Sequence, residues 1–213
     1  MSSAPIRSGS PASERLRPGP AKPEEAERIR ERILDAATAC LLAEGLDARL
    51  HAMIAERAGI SRPTVYKYVG DQPTIVAAVL DRELDRFFGA VVPILRTSDD
   101  LETHLIDAIV FVVDYARAHV LLQKALSEYP ELILPVLTTG SGPLVERVVA
   151  LFEAQLGRAL DRTGSRSLTP REVAEWMYRI VVSLIATPTI GLDRDGTRRY
   201  VDSLIRLMGI AQT

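Results

Sequence analysis

One cysteine, Cys40, stands in 213 residues, so no disulfide can form within the chain and no cysteine metal cluster can be built. Its neighbours Ala36, Ala37, Leu41 and Leu42 suit a buried, small apolar side chain. A redox-sensing thiol is the competing reading, and no cationic partner stands nearby to support it. Histidines number three, at 51, 104 and 119, too scattered for a metal-spaced pair. His104 and His119 read as surface residues near helix ends. A Gly-rich phosphate loop and a Gly-x-Ser-x-Gly elbow are both missing, which removes the usual sequence grounds for an enzyme. Hence no catalytic residue, cofactor or metal is assigned. No apolar run approaches a membrane span, and the N-terminus has no apolar h-region; a soluble cytoplasmic protein is expected. A net charge of −2 excludes a globally basic nucleic-acid coat. It leaves room for a local DNA-binding face, because phosphate contacts need only a few cations in one place. Aromatics are few, at 5%, while 47% hydrophobic content is enough for a core. With Ala, Leu, Val and Arg prominent and no convincing strand or repeat, the chain reads as all-α.

Residues 54–68, IAERAGISRPTVYKY, carry the densest local signal. Ile54, Ala55 and Ala58 are the apolar positions at the end of a short helix. Gly59 stops it, since glycine takes the left-handed geometry of a tight helix exit at no steric cost. Ile60 is an apolar plug inside the turn. Ser61 is a good N-cap for the next helix, and Pro63 sits in that helix's first turn, where a missing N–H does no harm. The second helix sets Arg62, Thr64, Lys67 and Tyr68 on one side and leaves Val65 to pack inward. Two short helices joined by a glycine turn form a helix-turn-helix, whose second helix lies in the DNA major groove. The competing reading, an ordinary helical hairpin, does not account for the cap, the early proline and the hydroxyl, cationic and aromatic cluster together.

Around this motif the chain divides in three. Residues 1–23 hold five of the thirteen prolines and read as a disordered tail. Its cations Arg7, Arg15, Arg17 and Lys22 face one acid, Glu14, so it is either a solvated tail or an arm that adds DNA contacts. Residues 24–72 form a three-helix DNA-binding domain: a first helix over 24–44 with Ile29, Ile33, Leu34, Ala37, Leu41 and Leu42 at helical period, then helices over 50–58 and 61–68. Residues 73–213 form a helical body. Asp71 caps a long helix, with Pro73 in its first turn, that runs to about residue 93 and serves as a lever between the two parts. The segment 101–119 is apolar nearly all round, which marks a central, buried helix. Helices follow over 121–129, 143–161, 170–188 and 196–209, with Thr169 capping the one that Pro170 opens and a possible extra turn or two over 131–137.

The chain resembles the tetracycline-repressor-like (TetR) family of bacterial regulators. The likeness covers about residues 28–80: Ile33-Leu34-Asp35-Ala36-Ala37, Glu44-Gly45, Ile54-Ala55-Glu56-Arg57-Ala58-Gly59-Ile60-Ser61 and Thr64-Val65-Tyr66-Lys67-Tyr68. It implies a homodimer that binds a near-palindromic double-stranded DNA operator and releases it when a small molecule fills a pocket in the body. The alternative is a DNA-binding regulator without an effector, its body used for dimerisation or a protein partner. Four positions depart from the family pattern. Arg49 and Leu50 replace threonines at the start of the second helix, Val69 replaces an aromatic, and Gln72 replaces a lysine that touches backbone.

The DNA-binding set is then Arg49, Ser61, Arg62, Pro63, Thr64, Tyr66, Lys67, Tyr68 and Gln72. Ser61, Tyr66 and Tyr68 offer hydroxyls to phosphates. Thr64 offers a methyl and a hydroxyl, and Arg62 and Lys67 reach guanine acceptors or phosphates. Tyr66 either makes such a contact or packs on the domain core. The effector pocket is expected among Phe88, Leu105, Phe111, Tyr115, Leu122, Leu126, Phe152 and Trp176, walls that suit a hydrophobic molecule. Arg179 either meets an acidic group of the ligand or pairs within the chain. The dimer interface is expected on Val173, Trp176, Met177, Ile180 and Leu184 together with Val201, Leu204, Ile205 and Met208, two seams able to form a four-helix bundle with their copies. Otherwise these seams bury against the same subunit.

Overall fold

Capping groups and prolines set where the helices begin. A computed structural model describes residues 23–46, 49–94, 101–163, 169–187 and 193–207, the side chains of 101 and 154–163 excepted. Residues 1–22 of the expected tail and Met208 lie outside the described residues, and Pro23 opens the first helix. Ten helices occur among the described residues: α1 (Pro23–Glu44), α2 (Leu50–Ala58), α3 (Arg62–Val69), α4 (Gln72–Ile94), α5 (Leu101–Ala118), α6 (Val120–Glu128), α7 (Pro130–Leu137), α8 (Gly142–Thr163), α9 (Pro170–Ala186) and α10 (Arg194–Leu207). The fold is all-α, as expected.

Before α4, the Asp71 carboxylate accepts the Thr74 N–H at 3.0 Å. Before α9, the Thr169 hydroxyl accepts the Glu172 N–H at 3.2 Å while Glu172 accepts the Thr169 N–H at 2.8 Å. This reciprocal box satisfies two N–H groups that the helix itself leaves unpaired. Among the described residues no single helix is long and apolar enough to cross a membrane.

Two hydrophobic cores result. The first gathers Ile33, Leu34, Ala37 and Cys40 of α1, Leu50 and Ile54 of α2, Val65 and Val69 of α3, and Ile75 and Val79 of α4. Cys40 is the buried small apolar residue expected, and burial pushes its thiol pKa up. The second core centres on α5, whose Leu105, Ala108, Ile109 and Val113 are fully enclosed, because α4, α6, α8, α9 and α10 all pack around it. Each large aliphatic side chain so enclosed stabilises the fold by about 1.5–3 kcal/mol. The lever helix α4 belongs to both cores, giving Ile75 and Val79 to the first and Val91 to the second. Packing therefore runs across residue 72, where the sequence suggests a domain boundary.

The wrapping of α5 corrects the reading of His104, which is buried rather than at the surface. His119 is half-buried at a helix end, where it is the N-cap of α6: its Nδ1 accepts the Leu122 N–H at 3.2 Å, and its Nε2 lies 3.1 Å from Glu83.

The same packing covers part of the expected dimer seams within one chain. Val173, Met177, Leu184, Val201 and Ile205 are 0–6% exposed and sit in the second core of their own chain. A helical period shows that a face must be covered; α5 and α8 cover α9, and α5 covers α10. Trp176, Ile180 and Leu204 keep partial exposure. Three ion pairs edge the α5–α10 contact, Arg194–Asp114 at 3.2 Å, Arg198–Asp107 at 2.5 Å and Arg206–Glu102 at 3.5 Å.

Head and body also meet directly. Leu121 of α6 packs against the first core, and the Leu46 N–H donates to the Tyr129 hydroxyl at 3.1 Å. From α4, Arg82 reaches three side chains of α1: Glu31 at 3.2 Å, Asp35 at 2.9 Å and the Thr38 hydroxyl at 2.8 Å.

Candidate nucleic-acid interface

The turn between α2 and α3 is built as the residues dictate. Gly59 adopts φ +63, ψ +38; its N–H donates to the Glu56 carbonyl at 3.1 Å, and the Ile60 N–H to the Ala55 carbonyl at 3.0 Å. These two bonds close the end of α2 and turn the chain sharply. Ile60 packs against the first core. Ser61 is extended, at φ −78 and ψ 150, and its hydroxyl oxygen accepts the Thr64 N–H at 3.3 Å. Pro63 then lies in the first turn of α3.

Helical geometry sorts the side chains of α3. Val65 and Val69 are buried in the first core. Arg62, Pro63, Tyr66 and Lys67, all exposed, occupy the adjoining arc of about 140° at 100° per residue. This differs from the expected outward set, for Thr64 and Tyr68 fall on the flank and are half-buried. The Thr64 hydroxyl is 2.7 Å from that of Ser61, so the cap engages it. The Tyr68 carbonyl accepts from Arg30 of α1 at 3.1 Å, and Lys67 lies over the Tyr68 ring, 5.2 Å from its centre.

Tyr66 is packed on one side and open on the other. It is 53% exposed, yet one face of its ring stacks on His51 of α2, 4.0 Å between centroids and 10° from parallel. Sequence reasoning left His51 without a role, and no local spacing could supply one, because its contacts lie 15 and 19 residues away. Arg49 is exposed at the start of α2, and Gln72 is half-buried at the first position of α4. Beside it, Asp71 is held below the usual carboxylate range, chiefly by the Thr74 hydroxyl and then by the Thr74 N–H.

Residues 33–78 match the profile of the bacterial regulatory proteins of the tetR family. An uncharacterized HTH-type transcriptional regulator of Mycobacterium bovis is 32% identical over 160 residues, which span 75% of this chain and 81% of that protein. This chain belongs to the TetR family. It is a helix-turn-helix, DNA-binding regulator of transcription, and the family is one of regulators rather than enzymes. Solved TetR-family structures share the fold. The repressor QsdR of R. erythropolis superposes with a TM-score of 0.58 at 21% identity, over 88% of this chain and 97% of its own. AlkX of Dietzia sp. strain DQ12-45-1b, a repressor implicated in biodegradation of n-alkanes, gives 0.61 at 23% identity, over 84% and 94%.

In the body of this TetR-family chain the eight expected pocket residues differ in burial. Leu105 and Phe152 are closed inside the second core. Phe88 is buried with the Arg147 guanidinium 4.8 Å from its ring centre. Phe111 and Tyr115 are half-buried and belong to a ring cluster in which Tyr115 meets Phe87 at 5.3 Å, Phe111 at 6.1 Å and His119 at 5.7 Å. Burial raises the Tyr115 pKa, with the Glu83 charge adding to it. Leu122 and Leu126 are half-buried on α6, and Trp176 packs against the core from α9. An open groove of about 350 Å³ lies elsewhere, between α5 and α10, and includes Thr103, Ile106, Arg198 and Arg206 in its lining. Arg179 pairs with Glu175 of its own helix at 3.2 Å.

Proposed function

We propose that this regulator is a repressor that binds a near-palindromic operator as a homodimer and is released by a small, apolar effector. The observation that carries the DNA-reading half is the outward face of α3. Two cations, Arg62 and Lys67, flank a half-exposed Tyr66 on the exposed arc of the helix, while Val65 and Val69 are buried. Laid in the major groove, that face offers Arg62 and Lys67 to guanine acceptors or phosphates, and the hydroxyls of Tyr66 and Tyr68 to phosphates. Ser61 caps the helix that approaches the DNA, and Pro63 shapes its first turn. Since its hydroxyl is engaged by Ser61, Thr64 contributes its methyl to a thymine contact. Arg49 and Gln72 supply further backbone contacts at the edges.

One such head reads only a few base pairs, so useful specificity asks for two, about 34–36 Å apart or a multiple of that. Among the described seam residues, Trp176, Ile180 and Leu204 keep partial exposure and are open to a partner. Release is a population shift: an effector must prefer the state in which the lever helices hold the heads at the wrong separation.

The test is selection of random duplex DNA by the full-length protein, then titration of the enriched duplex at several salt concentrations, with sedimentation to count chains per duplex. A near-palindrome bound by two chains with a steep salt slope is expected. Arg62→Ala or Lys67→Ala lowers that slope by about one if the side chain meets a phosphate, and relaxes one base position if it reads a base. No enriched motif, or one chain per duplex, would overturn the reading.

A further inference from the structure

We propose that His51 is a positioning residue for DNA reading, holding the Tyr66 ring in the orientation that meets the DNA. The inference rests on the reading of α3 given above. It starts from a cost. An exposed tyrosine on a helix samples several rotamers, and fixing one of them on binding loses side-chain entropy. Here that ordering is done in advance. The His51 ring is 9% exposed and lies parallel to Tyr66 at 4.0 Å, so it forms a floor under one face of the tyrosine and leaves the other face and the rim to solvent.

The floor is itself fixed. His51 Nε2 lies 3.0 Å from the Gly70 carbonyl oxygen; a carbonyl only accepts, so Nε2 carries the proton and donates. The Gly70 N–H in turn donates to the Tyr66 carbonyl at 3.0 Å. His51 thus touches Tyr66 twice, at the ring directly and at the backbone through Gly70. These contacts tie the body of α2 to both the middle and the end of α3. A side chain that served only to fill the first core would not need a ring parallel to an exposed neighbour.

Two substitutions separate the contacts. His51→Phe keeps a ring under Tyr66 and loses the bond to Gly70. His51→Gln keeps an N–H donor and loses the ring. Each is made in the full-length chain, alone and with Tyr66→Ala, and titrated against the duplex enriched by the wild-type protein, after thermal melts establish that the variants fold. Expected is a loss of about 3- to 10-fold in affinity for His51→Gln, the worth of an aromatic stacking contact. His51→Phe stays within about twofold of wild type. In the Tyr66→Ala background His51→Gln costs nothing more. The salt slope does not change in any of these variants, because a neutral hydroxyl displaces no counterion.

Three results overturn the proposal while leaving the DNA reading intact: His51→Gln binding as wild type, the same loss with Tyr66 already removed, or His51→Phe as damaging as His51→Gln. If the wild-type chain enriches no duplex, the DNA reading falls and takes this inference with it.

Discussion

At the scale of single residues, the groups that fix the reading head are small and local. Asp71 is the clearest case. Its carboxylate accepts from the Thr74 N–H and hydroxyl, and these bonds depress its pKa. A depressed carboxylate adds stability that is present above its unfolded pKa, about 4, and is lost as pH falls through the lower folded value. Asp71→Ala should therefore melt below wild type at pH 7, and the gap should close as the pH is taken well below the ordinary carboxylate range. A gap that persists unchanged in acid would mean the carboxylate charge is not what holds the start of α4. Such caps are legible in sequence because both partners sit within three residues of one another: Ser61 with Thr64, Asp71 with Thr74, and Thr169 with Glu172 all follow from spacing alone. His51 is the contrary case, for a histidine in a short helix says nothing of a carbonyl 19 residues on.

At the scale of elements, joints between helices decide what moves with what. Gly45 ends α1 at φ +70, and a Cβ there would stand 2.1 Å from the Tyr129 hydroxyl. Gly59 is also left-handed, at φ +63, but nothing lies within 4 Å of its Cβ position. The pair makes an internal control. Gly59→Ala should cost about 1–2 kcal/mol, the strain of the left-handed conformation alone. Gly45→Ala should cost at least about 1 kcal/mol more in chemical denaturation, because Tyr129 must leave and the Leu46 N–H loses its acceptor. That excess should vanish in a Tyr129→Ala background. Equal costs at the two glycines would show that Tyr129, between α6 and α7, does not press on the end of α1. This joint was hidden from the sequence reading, since Leu46 and Tyr129 stand 83 residues apart. Arg82 was hidden for the same reason: its carboxylate partners are 47 and 51 residues distant.

On the scale of the whole molecule, burial outweighs the charges that border it. Ile205 is fully enclosed in the second core, while Arg198, two turns earlier on the same helix, pairs with Asp107 at an exposed edge. Ile205→Ala should cost about 2–5 kcal/mol in denaturant, and Arg198→Ala less than about 1 kcal/mol. The reverse order would mean that α10 is held by its ion pairs. The seams on α9 and α10 show where sequence periodicity stops informing. The spacing of Val173, Met177 and Leu184 reveals an apolar face, but the same spacing serves a partner chain or α5 equally well, and only the packing of the other helices chooses. The head was readable because its helices are short and joined by stereotyped turns. The body was readable only as a helix count and one central helix, because which faces meet depends on contacts between distant segments.

The sharing of α4 between two cores bears on how such regulators can be recombined. A reading head cut out at residue 72 would leave behind Ile75 and Val79, two fully covered side chains of its own interior, and would also part Arg82 from α1. A graft that carries a new specificity onto this body must take the first three turns of α4 with it, and must bring a glycine and an open N–H to meet Tyr129. The exchangeable module is thus longer than the part that reads DNA, and its boundary falls inside a helix rather than in a loop.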